Sequence, residues 1–204
     1  MIRLLQLIFA PAYAWHKILQ ANRGVILVLI LHPLPLMLIG AAAEGYGLMK
    51  LGWLSGELAR GKPVLVPQDI ALRFEEIRLA GSLLALFLGT LLLRSLARSF
   101  QVPTGFPGSF AVLAYSMGPL LVLAPALDGL PFMNSWLCWS IGIILSVSIL
   151  YNGIAIILQP EPTKGFGLFV SSAVVLIILT GFANFIAILI MKNDLMAGVL
   201  PKLR

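Results

Sequence analysis

The chain has 204 residues, 60% of them hydrophobic and 11% charged, with a mean hydropathy of +1.01. A soluble domain carries about 25% charged residues, so a water-soluble globular fold is excluded. Lys and Arg outnumber Asp and Glu by 14 to 8, but the basic residues are scattered over every loop, which predicts contact with anionic lipid headgroups and no nucleic-acid partner.

Residues 1–24 read as an N-terminal interfacial amphipathic segment. Trp15, Ile18 and Leu19 share one helical face, His16, Lys17 and Gln20 point elsewhere, and Pro11 divides the segment into two short pieces. A Trp beside a Lys is the usual pairing at a membrane surface. Arg3, Pro11, Lys17 and Arg23 interrupt any apolar core, so no cleavable signal peptide is expected and the first span acts as the targeting signal.

Five apolar runs follow, at 25–43, 79–93, 110–127, 136–158 and 168–191. About 20 residues cross a hydrocarbon core of about 30 Å as a helix. The second run is short, but Arg78 and Arg94 at its ends can place their charges in the headgroups, so a span of about 79–97 is expected. The runs are continuous rather than alternating, which selects helices over a closed barrel. The fold class predicted is an all-α polytopic bundle of five transmembrane helices over 25–191, with a tail at 192–204.

The first span holds His32 in Leu31-His32-Pro33-Leu34-Pro35. Two prolines remove backbone donors and break or kink a helix, so His32 either bonds to a freed carbonyl or lines a small polar cavity. Segment 44–78 reads as the longest loop, ending in Pro67-Gln68-Asp69, a helix start that leads directly into the second span as one helix over about 69–99.

The third span carries Tyr115 and Ser116 before a second break at Gly118-Pro119, and also Pro125. Asp128, in Asp128-Gly129-Leu130-Pro131, reads as a turn residue at the interface, with a proton or substrate site as the alternative. The fourth span holds Ser146, Ser148, Tyr151 and Asn152, with Gly142, Ser146 and Gly153 forming a close-packing stripe for a neighbouring helix. Its Cys138 is the chain's single cysteine and reads as a small apolar residue. The fifth span adds Thr180 and Asn184.

His32, Tyr115, Ser116, Asp128, Ser146, Tyr151, Asn152 and Asn184 thus form the candidate set for a polar groove or for interhelical packing. The spans otherwise read as nearly empty of ionisable groups. There is no His-Glu-x-x-His, Gly-x-Ser-x-Gly, phosphate loop or intramembrane carboxylate pair, so no catalytic residue, cofactor or metal ligand is expected. Basic residues Arg3, Lys17, Arg23, Arg94 and Arg98 argue for a cytoplasmic N-terminus, while Lys50, Arg60, Lys62, Arg73 and Arg78 in the first loop and Lys192, Lys202 and Arg204 at the C-terminal end run against that rule.

The entry Phe9-Ala10-Pro11-Ala12-Tyr13-Ala14-Trp15-His16-Lys17-Ile18-Leu19, the stretch Tyr115-Ser116-Met117-Gly118-Pro119-Leu120-Leu121, and Trp136, Trp139 and Ile149-Leu150-Tyr151-Asn152-Gly153 resemble prokaryotic members of the Yip-domain family. Lys164, followed by a small residue, sits where that family has a short loop before its last span. The resemblance implies five helices, a cytoplasmic N-terminus and an external or lumenal C-terminus. Eukaryotic relatives bind Rab-type GTPases through a long cytosolic N-terminal region. Only 24 residues precede the first span here, so GTPase binding is not carried over and a prokaryotic plasma membrane is expected.

Three functional readings follow. The first is a non-enzymatic membrane protein acting through lipids, other membrane proteins or a homo-oligomer. The second is a small transporter, channel or lipid scramblase at the broken helices, and the third is an intramembrane enzyme using His32 or Asp128.

Overall fold

In lipid every peptide group must be bonded within the chain, and the apolar runs meet that demand as helices. A computed structural model of the protein describes residues 2–53 and 63–199. Arg60, Lys62, Lys202 and Arg204, which bear on orientation, lie outside the described residues. Helices α1 (Ile2–Phe9) and α2 (Pro11–Ala21) precede the first span, which is α3 (Val25–Leu31) followed by α4 (Pro33–Lys50). The second span is α5 (Gln68–Ser99), the third is α6 (Phe106–Ser116) with α7 (Gly118–Asp128), the fourth is α8 (Ser135–Gly153), and the fifth is α9 (Pro162–Val199). A π-helical turn, Ile154–Leu158, extends α8. Five of these helical units are long and apolar enough to cross a membrane.

Prolines place the breaks. Pro33 starts α4 after His32, which sits at φ −129° and ψ −72°, and Pro119 stands at the start of α7 after Met117. Each proline lacks the N–H that would continue the helix before it. Pro125 lies inside α7 without ending it. Helix α8 is capped by Asn134, whose side chain accepts from the Trp136 N–H at 2.8 Å.

The turn Asn22–Gly24 and the connections α5–α6 and α8–α9 share one side of the bundle, here called proximal. The connections α4–α5 and α7–α8 share the other, distal side with the end of α9. Helix α6 is the central element, with residues 109–116 buried apart from Ala111, and lipid-type side chains such as Leu84, Ile144, Ile178 and Phe182 face outward. Glycines set the close crossings. A Cβ on Gly40 would stand 2.3 Å from the Leu121 carbonyl oxygen, and one on Gly47 would stand 2.0 Å from that of Gly129, so α4 and α7 touch backbone to backbone.

Helices α5 and α9, of 32 and 38 residues, span about 48 and about 57 Å and outreach the bilayer core. They run alongside each other. Beyond the main core, their distal ends form a second one, with Ala71, Phe74, Ala187, Met191 and Leu195 closed over by Leu48, Trp53 and Val66. An isolated antiparallel bridge, Trp53 to Val64, ties down the ends of the α4–α5 connection.

Three sequence expectations change. The first span continues as helix to Lys50, so Glu44 lies inside α4 rather than opening a loop. Arg78 lies well inside α5, with its side chain 13% exposed, and turns into the bundle instead of toward headgroups. Trp15 is fully buried, its indole N–H donating to the Ile149 carbonyl at 3.1 Å, so it anchors α2 to α8 rather than to the membrane surface.

Candidate functional site

On α4, Gly40, Glu44 and Gly47 share one face, four and then three residues apart. Because both glycines touch α7, Glu44 is forced against α7 as well, and it has no exposed surface. On α5, the positions of Ala71, Glu75, Arg78, Ser82 and Ala85 form another such face. These faces meet the end of α7 at Asp128, between the main core and the second core.

The Arg78 guanidinium is the centre. Its Nη1 donates to Glu44 Oε1 and, at 3.2 Å, to Asp128 Oδ2, while its charge lies over the Phe74 ring, 5.6 Å from the centroid. Asp128 also accepts from the Ser135 hydroxyl at 2.7 Å. Glu75 is 7% exposed, and its Oε1 lies 3.8 Å from the Cβ position of Gly45, beside Glu44. Among the described residues, Glu44 Oε2 and Glu75 Oε1 have no hydrogen-bond partner. The spans are therefore not empty of ionisable groups: they hold a four-residue ion cluster that ties α4, α5, α7 and α8 together.

Two small cavities flank Arg78 and Ser82. One, of about 30 Å³, extends to Trp139, Thr180 and Asn184, and the other, of about 20 Å³, reaches Glu75 and Pro125. Each has room for about one or two water molecules. Asn184 is buried with neither amide atom bonded, and Trp139 donates its indole N–H to Thr180 at 3.3 Å.

The candidate polar set does not converge on one groove. Asp128, read as a turn residue, is 4% exposed and belongs to the ion cluster, and Asn184 faces the adjoining cavity. His32 and Tyr115 lie 4.5 Å apart between ring centroids, tilted 40° to each other, where the two broken spans meet. Tyr115 takes a hydrogen bond from Arg3 at 3.2 Å, and a Cβ on Gly118 would strike Leu4 at 2.5 Å, so α1 fills the space between the breaks. Ser116 and Ser146 are buried in helix contacts with no partner for their hydroxyls. Tyr151 is exposed on the outer face against Phe169, and Asn152 bonds back to the Ser148 carbonyl at 3.3 Å.

Reading along single segments missed Glu44 and Glu75 and directed Arg78 to the headgroups, because all three stand where apolar runs end. The glycines flanking Glu44 at helical spacing were the available signal. Larger clefts lie on the proximal side. One, of about 260 Å³, is lined by Asn22, Arg23, Thr104 and Tyr115, and another, of about 310 Å³, by Tyr151, Phe166 and Phe169.

Fold and site define a polytopic α-helical integral membrane protein whose bundle is closed by a buried ion cluster. The Yip1-domain family model matches residues 5–184, and the chain belongs to that family. No curated protein and no solved structure matches it. The segments that carry the resemblance pack on one another: Trp15 stands edge-on to Tyr115 at 6.0 Å, bonds to Ile149, and covers Gly153, where a Cβ would lie 2.6 Å from the indole. Lys164 closes the proximal side, donating to Gln101 Oε1 at 2.6 Å and pairing with Glu161 at 3.0 Å.

Proposed function

We propose that this Yip1-domain chain is a non-enzymatic membrane protein that acts through protein partners or a second copy of itself and through membrane lipids, in a prokaryotic plasma membrane with its N-terminus cytoplasmic. The observation that carries the reading is the dispersal of the polar residues. Asp128 and Asn184 lie at the ion cluster and its cavity, Tyr151 is on the outer face, Ser116 and Ser146 are in helix contacts, and where the broken spans meet, Leu4 packs on Gly118 and Arg3 bonds to Tyr115. Polar groups used in this way hold helices together. The Arg23-lined proximal cleft suits contact with an anionic headgroup.

The test is native mass spectrometry of the protein released from lipid nanodiscs, together with flux and lipid-flip assays in vesicles. A homo-oligomer or a stoichiometric partner, with no flux or flip above protein-free vesicles, is expected. A strict monomer whose flux or lipid flip falls in Tyr151→Phe or Asn152→Ala would overturn the reading in favour of a transporter or scramblase. Labelling of Asn22→Cys by an impermeant maleimide from the cytoplasmic side checks the orientation.

A further inference from the structure

The ion cluster carries three carboxyl groups against one guanidinium. Asp128 is fully provided for, with the Ser135 hydroxyl on one oxygen and Arg78 on the other. Its charge alone balances that of Arg78. Glu44 and Glu75 are then in excess, both more than nine-tenths buried, each with an oxygen that has no partner. Glu75 Oε1 lies beside Glu44, 3.8 Å from the Cβ position of the next residue, Gly45, and Asp128 shares the Arg78 Nη1 with Glu44. Ionised carboxylates only accept hydrogen bonds, so such a contact has no donor until one of its members carries a proton.

We propose that the Glu44–Glu75 carboxyl pair is a proton-binding site, holding one dissociable proton across the contact between α4 and α5. The bound proton turns an acceptor facing an acceptor into an O–H donor facing a carboxylate, and removes one of the two excess charges. The groups facing the pair are Arg78 on α5, Asp128 on α7, and Ser135 and Cys138 on α8. Among the described residues, no lysine or histidine joins them. The adjoining cavities, with Ser82 between them and the unbonded Asn184 amide in one wall, give water room to reach the pair.

A metal cation is the other way to offset the charge, and the geometry is against it. Among the described residues, no three His, Cys, Asp or Glu side chains are arranged to hold one, and Arg78 already occupies the centre of the carboxyls. The proposal is independent of partner binding.

Infrared spectroscopy of the full chain in phosphatidylcholine vesicles at neutral pH tests it. A carboxylic-acid carbonyl band is expected, shifting in deuterium oxide and with isotope-labelled glutamate but not with labelled aspartate, and disappearing in Glu44→Gln and in Glu75→Gln. Absence of the band, its following labelled aspartate, or its persistence in both variants would overturn the proposal. So would carboxylate bands that respond to sodium, potassium or calcium with no acid band present. Should either variant fail to insert, isotope labelling of the unmodified protein decides between Glu and Asp.

Discussion

At the residue scale, burial decides what a charge contributes. Arg73 and Asp194 pair at 3.2 Å on the outside of the distal ends of α5 and α9, with side chains 63% and 27% exposed, whereas Arg78, alone among the cations of the described residues, pairs with buried carboxyls. Arg73→Ala is therefore expected to cost no more than about 1 kcal/mol, as solvent-screened pairs do. Arg78→Met strands Glu44 and Asp128 and should cost about 3–5 kcal/mol, with part of that recovered in the triple variant that adds Glu44→Gln and Asp128→Asn. Thermal unfolding in detergent checks both, and equal effects from the two single variants would contradict the buried cluster. Glycine positions separate in the same way. Gly47→Ala pushes a methyl into the Gly129 backbone and should cost about 1–3 kcal/mol, while Gly24→Ala, with nothing within 4 Å, should be neutral by the same melt.

At the element scale, α1 and α2 are part of the bundle. Leu7 and Trp15 are fully buried and Leu4 reaches Gly118 at the second break. Amphipathic spacing made this segment legible as helix broken at Pro11, but one helix's pattern cannot say whether its apolar face meets lipid or protein. Trp15→Ala is expected to destabilise by about 3 kcal/mol, the low end for a buried Trp, because lipid solvates apolar groups in the loosened state as water does not. Trp15→Phe should lose about 1 kcal/mol with the Ile149 hydrogen bond. Proteolysis after the Asn22–Gly24 turn reports the result: if cleavage of Trp15→Ala is no faster than that of the parent, the segment is not held by that side chain.

At the scale of the whole molecule, α5 and α9 form the spine, antiparallel from the main core to the second core beyond it. Gly81 and Ala183 are a small-residue contact between them, with the Cβ position of Gly81 3.2 Å from that of Ala183. Gly81→Cys with Ala183→Cys should form a disulfide with little adjustment, seen as a reducible mobility shift, and the buried Cys138 should not compete. Failure to cross-link under oxidation would rule out this register.

The sequence by itself determined the number of spans, their helical nature, the breaks at Pro33 and Pro119, and the fusion of the 69–78 lead-in with the second span. These follow from local physics: lipid forces internal hydrogen bonding, and proline removes a donor wherever it stands. Only the tertiary structure decided that Glu44, Glu75, Arg78 and Asp128 form one cluster, that α1 fills the meeting point of the broken helices, and that Tyr151 and Asn184 lie apart. Those outcomes depend on which faces of separate helices are brought together. In this bundle the backbone contacts at Gly40 and Gly47 fix that choice, carrying Glu44 into the interior, where it accepts a hydrogen bond from Arg78.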